Sequence, residues 1–147
     1  MADINRTADT QWQGDVRSGK GNISTGSGAL KNTPYNFSMR FEQEPGTNPE
    51  ELIAAAHAAC YTMNLSGTLG RKGYKPQNLE THATCTVAPK QGGGFEITRI
   101  RLETRAKVDG IDEDTFQEIA KEAEQTCPVS NALRSVPEIS LDAKLMS

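Results

Sequence analysis

The sequence predicts an α+β fold built on antiparallel sheet. Three observations carry this: segments that alternate apolar and polar residues, helical segments opened by capping residues, and their order, βββ-α-ββ-αα-β. Strands come in runs here, whereas strict strand–helix alternation would point to a parallel sheet.

Gln11–Arg17 and Gly21–Thr25 read as strands of a hairpin around Ser18–Lys20. Tyr35–Phe41 reads as a clearer strand. Tyr35, Phe37, Met39 and Phe41 share one face, and Asn36, Ser38 and Arg40 the other. Pro45 and Gly46 end it. Asn48-Pro49-Glu50-Glu51 then opens a helix: Asn48 can cap, Pro49 suits the first position, and Glu51 lies three residues past the cap. That helix runs to about Leu69, with Gly70 as its stop. Its centre, Leu52 to Ala59, is mostly alanine, so another helix can approach closely, and the apolar stretch is too short for a membrane span.

Leu79, Thr81, Ala83, Cys85 and Val87 alternate with polar residues as a strand. In Phe95–Val108 the apolar phase changes between Ile97 and Ile100, and a β-bulge near Thr98–Arg99 would restore one buried face. Asp112 to Thr126 is an amphipathic helix with Phe116, Ile119, Ala120 and Ala123 inward. Pro128 begins a short helix to about Arg134, and Ile139, Leu141, Ala143 and Leu145 mark a last strand.

No linker or repeat divides the 147 residues, which suit a single domain, 1–147. Hydrophobic content of 35% is lean for a monomer and suggests surface covered by a partner subunit. A net charge of −3 gives no basic patch for nucleic acid. The polar N-terminus reads as neither signal peptide nor membrane segment, so a cytoplasmic location is expected.

The three cysteines cannot all pair within one chain. In a reducing compartment, paired cysteines are more often catalytic or metal-binding than structural. Cys60 lies late in the first long helix, where a free cysteine can equally pack as a small hydrophobe. Cys127 precedes Pro128 at a helix cap, where the first backbone N–H groups would favour a thiolate; it could also be a plain boundary residue. Cys85 lies on an apolar strand face and reads as core packing. His57, Cys60 and Cys127 could together form a metal site, with His57 and Cys60 three apart on one helix face. A satisfied buried histidine is the commoner outcome. His82 falls on the polar face of its strand and reads as solvated.

Two motifs make a resemblance specific. RFEQEPGTNPEELIAAAHAACY, from Arg40 to Tyr61, and CPVSNAL, from Cys127, resemble the OsmC branch of the OsmC/Ohr peroxidases, and the likeness covers nearly the whole chain. It implies an OsmC-like fold, with antiparallel sheets wrapped around central helices in an intertwined homodimer. It also implies a peroxidase in which Cys60 attacks an organic hydroperoxide and Cys127 closes a disulfide onto it. Arg40 and Glu50 match the family's active-site arginine and glutamate. Arg40 would supply the positive charge, since Cys60 stands far from its own helix N-terminus, and Glu50 would hold the guanidinium. An external dithiol would reduce the disulfide. Neither cofactor, metal, nucleic acid nor membrane is called for. Tyr61, Met63 and Phe41 are the apolar residues expected near the site, favouring alkyl hydroperoxides. A non-enzymatic binding module of the same fold is the alternative.

Overall fold

The computed structural model describes residues 1–147, an α+β chain that folds as two compact units, 1–52 and 53–147.

In the first unit, β1 (Ala8–Gln13), β2 (Lys20–Thr25) and β3 (Thr33–Tyr35) form an antiparallel sheet in the order β1-β2-β3. The Asp15 carboxylate closes the hairpin turn by accepting from Ser18 N at 2.8 Å and Ser18 Oγ at 2.6 Å. Trp12, Gly21 and Tyr35 lie side by side across the sheet, and the two rings are 5.5 Å apart over the glycine. A Cβ on Gly21 would come within 2.6 Å of the Trp12 ring, so no larger residue fits there.

The expected strand Tyr35–Phe41 is corrected. Only Tyr35 is strand, and Phe37–Phe41 is a short helix, α1. The Asn36 side chain decides it by accepting from Met39 N at 2.8 Å, an N-cap that extended backbone could not form. Phe37 and Phe41, which share a face in either conformation, then meet at helical spacing as a tilted pair, ring centres 5.1 Å apart. Asn48 ties α1 to the next helix, donating from Nδ2 to Met39 O at 3.0 Å.

The long helix α2 (Pro49–Arg71) begins as its sequence predicts, with Asn48 Oδ1 accepting from Glu51 N at 2.8 Å. It passes through Gly70 and stops at Gly73, whose φ of +89° lets Tyr74 N bond to Leu69 O at 2.9 Å. The boundary between the units falls within α2, after Leu52.

The second unit adds β4 (Pro76–Pro89), β5 (Phe95–Val108), α3 (Glu113–Thr126), α4 (Pro128–Ala132) and β6 (Glu138–Met146), with a sheet in the order β4-β5-β6. Thr86 pairs with Arg99 and Val87 with Ile97, so Thr98 is the extra residue of the expected bulge. Beyond it, Ile100, Leu102, Thr104, Ala106 and Val108 all face the core. The expectation of a wholly antiparallel sheet is corrected, because β6 runs parallel to β5. The helices between them carry the chain back to the starting edge, the crossover that a parallel pair requires. Tyr61, Leu65 and Leu69 of α2 join β5 and the apolar face of α3 in one buried cluster. No helix is long and apolar enough to cross a membrane.

Candidate active site

The four residues singled out from the sequence fall into two groups, each assembled within its own unit. In the first unit, α1 carries Arg40 and the first turn of α2 carries Glu50. They form a bidentate pair: Arg40 Nε donates to Glu50 Oε1 and Nη2 to Oε2, both at 2.9 Å. Glu50 is only 7% exposed, so its charge is removed from water and needs this partner. The pair holds the Arg40 guanidinium firmly protonated, above its ordinary value. Arg40 also lies over the Phe41 ring, 4.9 Å from its centre. Nη1 takes no part in the pair, so the guanidinium keeps donors for an anion or a peroxide oxygen.

Beside Arg40 is a cavity of about 250 Å³ walled by Trp12, Val16, Tyr35, Phe37 and Phe41. Trp12 and Val16 were not anticipated; they come from a hairpin whose role is legible only once the chain has folded. Tyr61, expected near the site, is fully buried in the core instead and donates to Ala120 O at 3.1 Å. Met63 is 78% exposed on the outer side of α2.

In the second unit, α2 and α4 bring the two cysteines together. Cys127 and Cys60 are free thiols with their sulfurs 3.1 Å apart, in hydrogen-bonding contact. Cys127 is the N-cap of α4, as its place before Pro128 predicts, and its Sγ accepts from Ser130 N at 3.5 Å. Burial pushes the Cys60 thiol up from its ordinary value. The backbone N–H of Val129 opposes that push, and the neighbouring Cys127 adds to it. Cys60 does stand far from the N-terminus of its own helix, α2; the opposing influence comes from the first turn of α4, remote in sequence. Cys85, on β4, stands outside this group.

A second contact joins the same two helices. His57 Nε2 and Ser130 Oγ are 2.6 Å apart, and both residues are fully buried. His57 Nδ1 has no hydrogen-bond partner. Burial lowers the His57 pKa, so the ring is neutral near pH 7. The three-ligand metal reading finds no support, since no group of three His, Cys, Asp or Glu is placed to hold an ion. Ser130 was not anticipated, although its place three residues past Cys127 puts it in the first turn of α4. His82 is exposed, as its strand position predicts.

The family model for OsmC-like proteins matches residues 42–142. Peroxiredoxin OsmC of Escherichia coli strain K12 is 47% identical over 98% of this chain and 99% of its own length. Organic hydroperoxide resistance protein OhrB of Bacillus subtilis strain 168 is 31% identical over 84% of this chain and 89% of its own. The crystal structure of the B. subtilis OhrB protein superposes with a TM-score of 0.66 at 25% identity, covering 95% of this chain and 98% of that one.

Proposed function

The chain belongs to the OsmC family, and on that premise we propose that it is a thiol peroxidase. Cys60 reduces an organic hydroperoxide to its alcohol, and Cys127 resolves the oxidised Cys60 as a disulfide. The observation that carries this reading is the 3.1 Å separation of the two sulfurs. A sulfenic acid on Cys60 would have its resolving thiol in contact, before a second peroxide could drive it to sulfinic acid. A binding module has no use for that juxtaposition.

The Cys60 thiolate attacks the terminal peroxide oxygen. The O–O bond breaks, and the alkoxide leaves as alcohol after taking a proton. Cys127 then attacks the sulfenic sulfur, the S–S bond forms, the S–O bond breaks and water departs. An external dithiol restores both thiols by exchange.

An ordinary cysteine, with a pKa of about 8.5, is only a few to about ten per cent thiolate near neutral pH. Full ionisation therefore gains roughly ten- to thirtyfold in thiolate population, and each thiolate becomes a slightly poorer nucleophile. Stabilising the charge on the departing oxygen is the larger effect, on the order of a hundred- to a thousandfold per donor. In this reading Arg40 performs both tasks and Glu50 holds its guanidinium. The aromatic cavity beside Arg40 suits an alkyl or aryl group better than a bare hydroxyl.

Residues 1–147 act as one domain in this reading, working in the cytoplasm as a homodimer. Ala55, Ala59, Met63 and Gly67 line one exposed face of α2, and a Met side chain 78% exposed between small residues suits burial against a second copy.

Turnover with cumene hydroperoxide and a dithiol tests the reading. We expect alcohol production by wild type, none by Cys60→Ser, and a kcat/KM roughly tenfold or more above that for hydrogen peroxide. An active Cys60→Ser enzyme would refute the proposal, and equal constants for the two peroxides would remove the substrate preference.

A further inference from the structure

The His57–Ser130 contact repeats the geometry of the cysteine pair. His57 lies three residues before Cys60 on α2, and Ser130 lies three residues after Cys127 on α4. The two helices are thus bridged twice, by sulfur and by a 2.6 Å hydrogen bond, with His57, Ser130 and Cys127 fully buried. We propose that His57 and Ser130 are positioning residues for disulfide closure, holding the first turn of α4 against α2 so that Cys127 faces Cys60 after the latter is oxidised. This deepens the peroxidase reading and rests on it.

The reason lies in what oxidation leaves intact. The other polar contact from the N-terminal end of α4 to α2 ends on the Cys60 sulfur, where Cys127 meets it. Once Cys60 carries oxygen, that contact is disturbed. The His57–Ser130 bond contains no sulfur and survives. Ser130 also donates its own N–H to Cys127 Sγ at 3.5 Å, so fixing Ser130 fixes the cap that presents the attacking sulfur. The chain just past α4 is tied to α3, where Arg134 donates to both Glu124 oxygens at 2.7 and 3.1 Å, so that tie does not set the distance to α2.

With His57 Nδ1 unpartnered, Ser130 Oγ is the one hydrogen-bond partner of the ring, and Nε2 donates to it or accepts from it according to the tautomer. Closure must shorten the sulfur separation from 3.1 Å to about 2.05 Å. Misplacement on that scale costs up to roughly a hundredfold in rate.

A merely structural pair would behave differently. Replacing both partners of a buried hydrogen bond by apolar groups is often nearly neutral for stability. The test is rapid-quench single turnover with one equivalent of cumene hydroperoxide. Peroxide loss, Cys60–Cys127 disulfide and, at excess peroxide, Cys60 sulfinic acid are followed separately. In Ser130→Ala, closure should slow roughly ten- to a hundredfold, far more than peroxide loss, and sulfinic acid should accumulate. Ser130→Thr keeps the hydroxyl, and His57→Gln keeps a donor near the Nε2 position; both should close faster than Ser130→Ala. The double variant His57→Leu/Ser130→Ala leaves no polar atom bare, and should melt near wild type yet close slowly. Wild-type closure in that double variant, or peroxide loss slowed as much as closure in Ser130→Ala, overturns the proposal. Failure of the peroxidase reading is seen separately, as wild type that consumes hydroperoxide without joining Cys60 to Cys127.

Discussion

Arg40 donates to Glu50 through a two-pronged contact that lysine cannot reproduce. Arg40→Lys should therefore behave almost like Arg40→Ala, each lowering the rate of peroxide consumption on the order of a hundred- to a thousandfold. If Arg40 acts on Cys60 as proposed, removing the cation should also move the pH midpoint of Cys60 alkylation upward, because a nearby positive charge favours the thiolate. Iodoacetamide labelling across pH measures this, and an unmoved midpoint in Arg40→Ala would show that the guanidinium does not act on that sulfur. Glu50→Gln keeps the shape but loses the charge, and should lower kcat/KM by up to roughly a hundredfold through a loosened Arg40. His57 has a consequence for stability. Burial holds its pKa below the ordinary value, with Glu124 opposing and Arg134 assisting that shift. The unfolded chain therefore binds a proton that the folded chain does not as pH falls below about 6.5. The stability from neutral His57 is complete above that pH and is lost as pH falls toward the lowered folded value. Melting temperatures between pH 7.5 and 5 (roughly the span of histidine titration) should fall less steeply for His57→Gln than for wild type.

At the scale of elements, the core of the second unit depends on α3 meeting α2 and β5. Phe116 is fully buried in that cluster, so Phe116→Ala should cost about 3–5 kcal/mol in urea unfolding. The inward face of α3 was legible in the sequence because Phe116, Ile119, Ala120 and Ala123 fit only a helical period. The bulge at Thr98 was legible because a two-residue period cannot change phase without an extra residue. Phe37–Phe41 was misread because five residues are too few to separate the two periods, and one Asn36 hydrogen bond decides between them. The direction of β6 was hidden because alternation reads the same along either direction of a strand. At the site, the Cys127 cap was readable from Pro128 alone. The Val129 donor was not, because it depends on α4 packing against a helix far away in sequence.

For the molecule as a whole, the exposed face of α2 predicts a particle of about twice the 15.9 kDa chain mass by light scattering. Met63→Asp, placed at the centre of that face, should drive it toward monomer. A wild-type monomer would remove the homodimer from the reading. The chemistry has a sharper test in a disulfide map taken after reduced protein receives one equivalent of organic hydroperoxide. Wild type should yield a single Cys60–Cys127 disulfide, with Cys85 still a thiol. Cys127→Ser should consume one equivalent and then overoxidise at Cys60. A disulfide through Cys85, or Cys60 and Cys127 left as thiols while peroxide disappears, would contradict the assignment of the sulfur pair as the reacting centre.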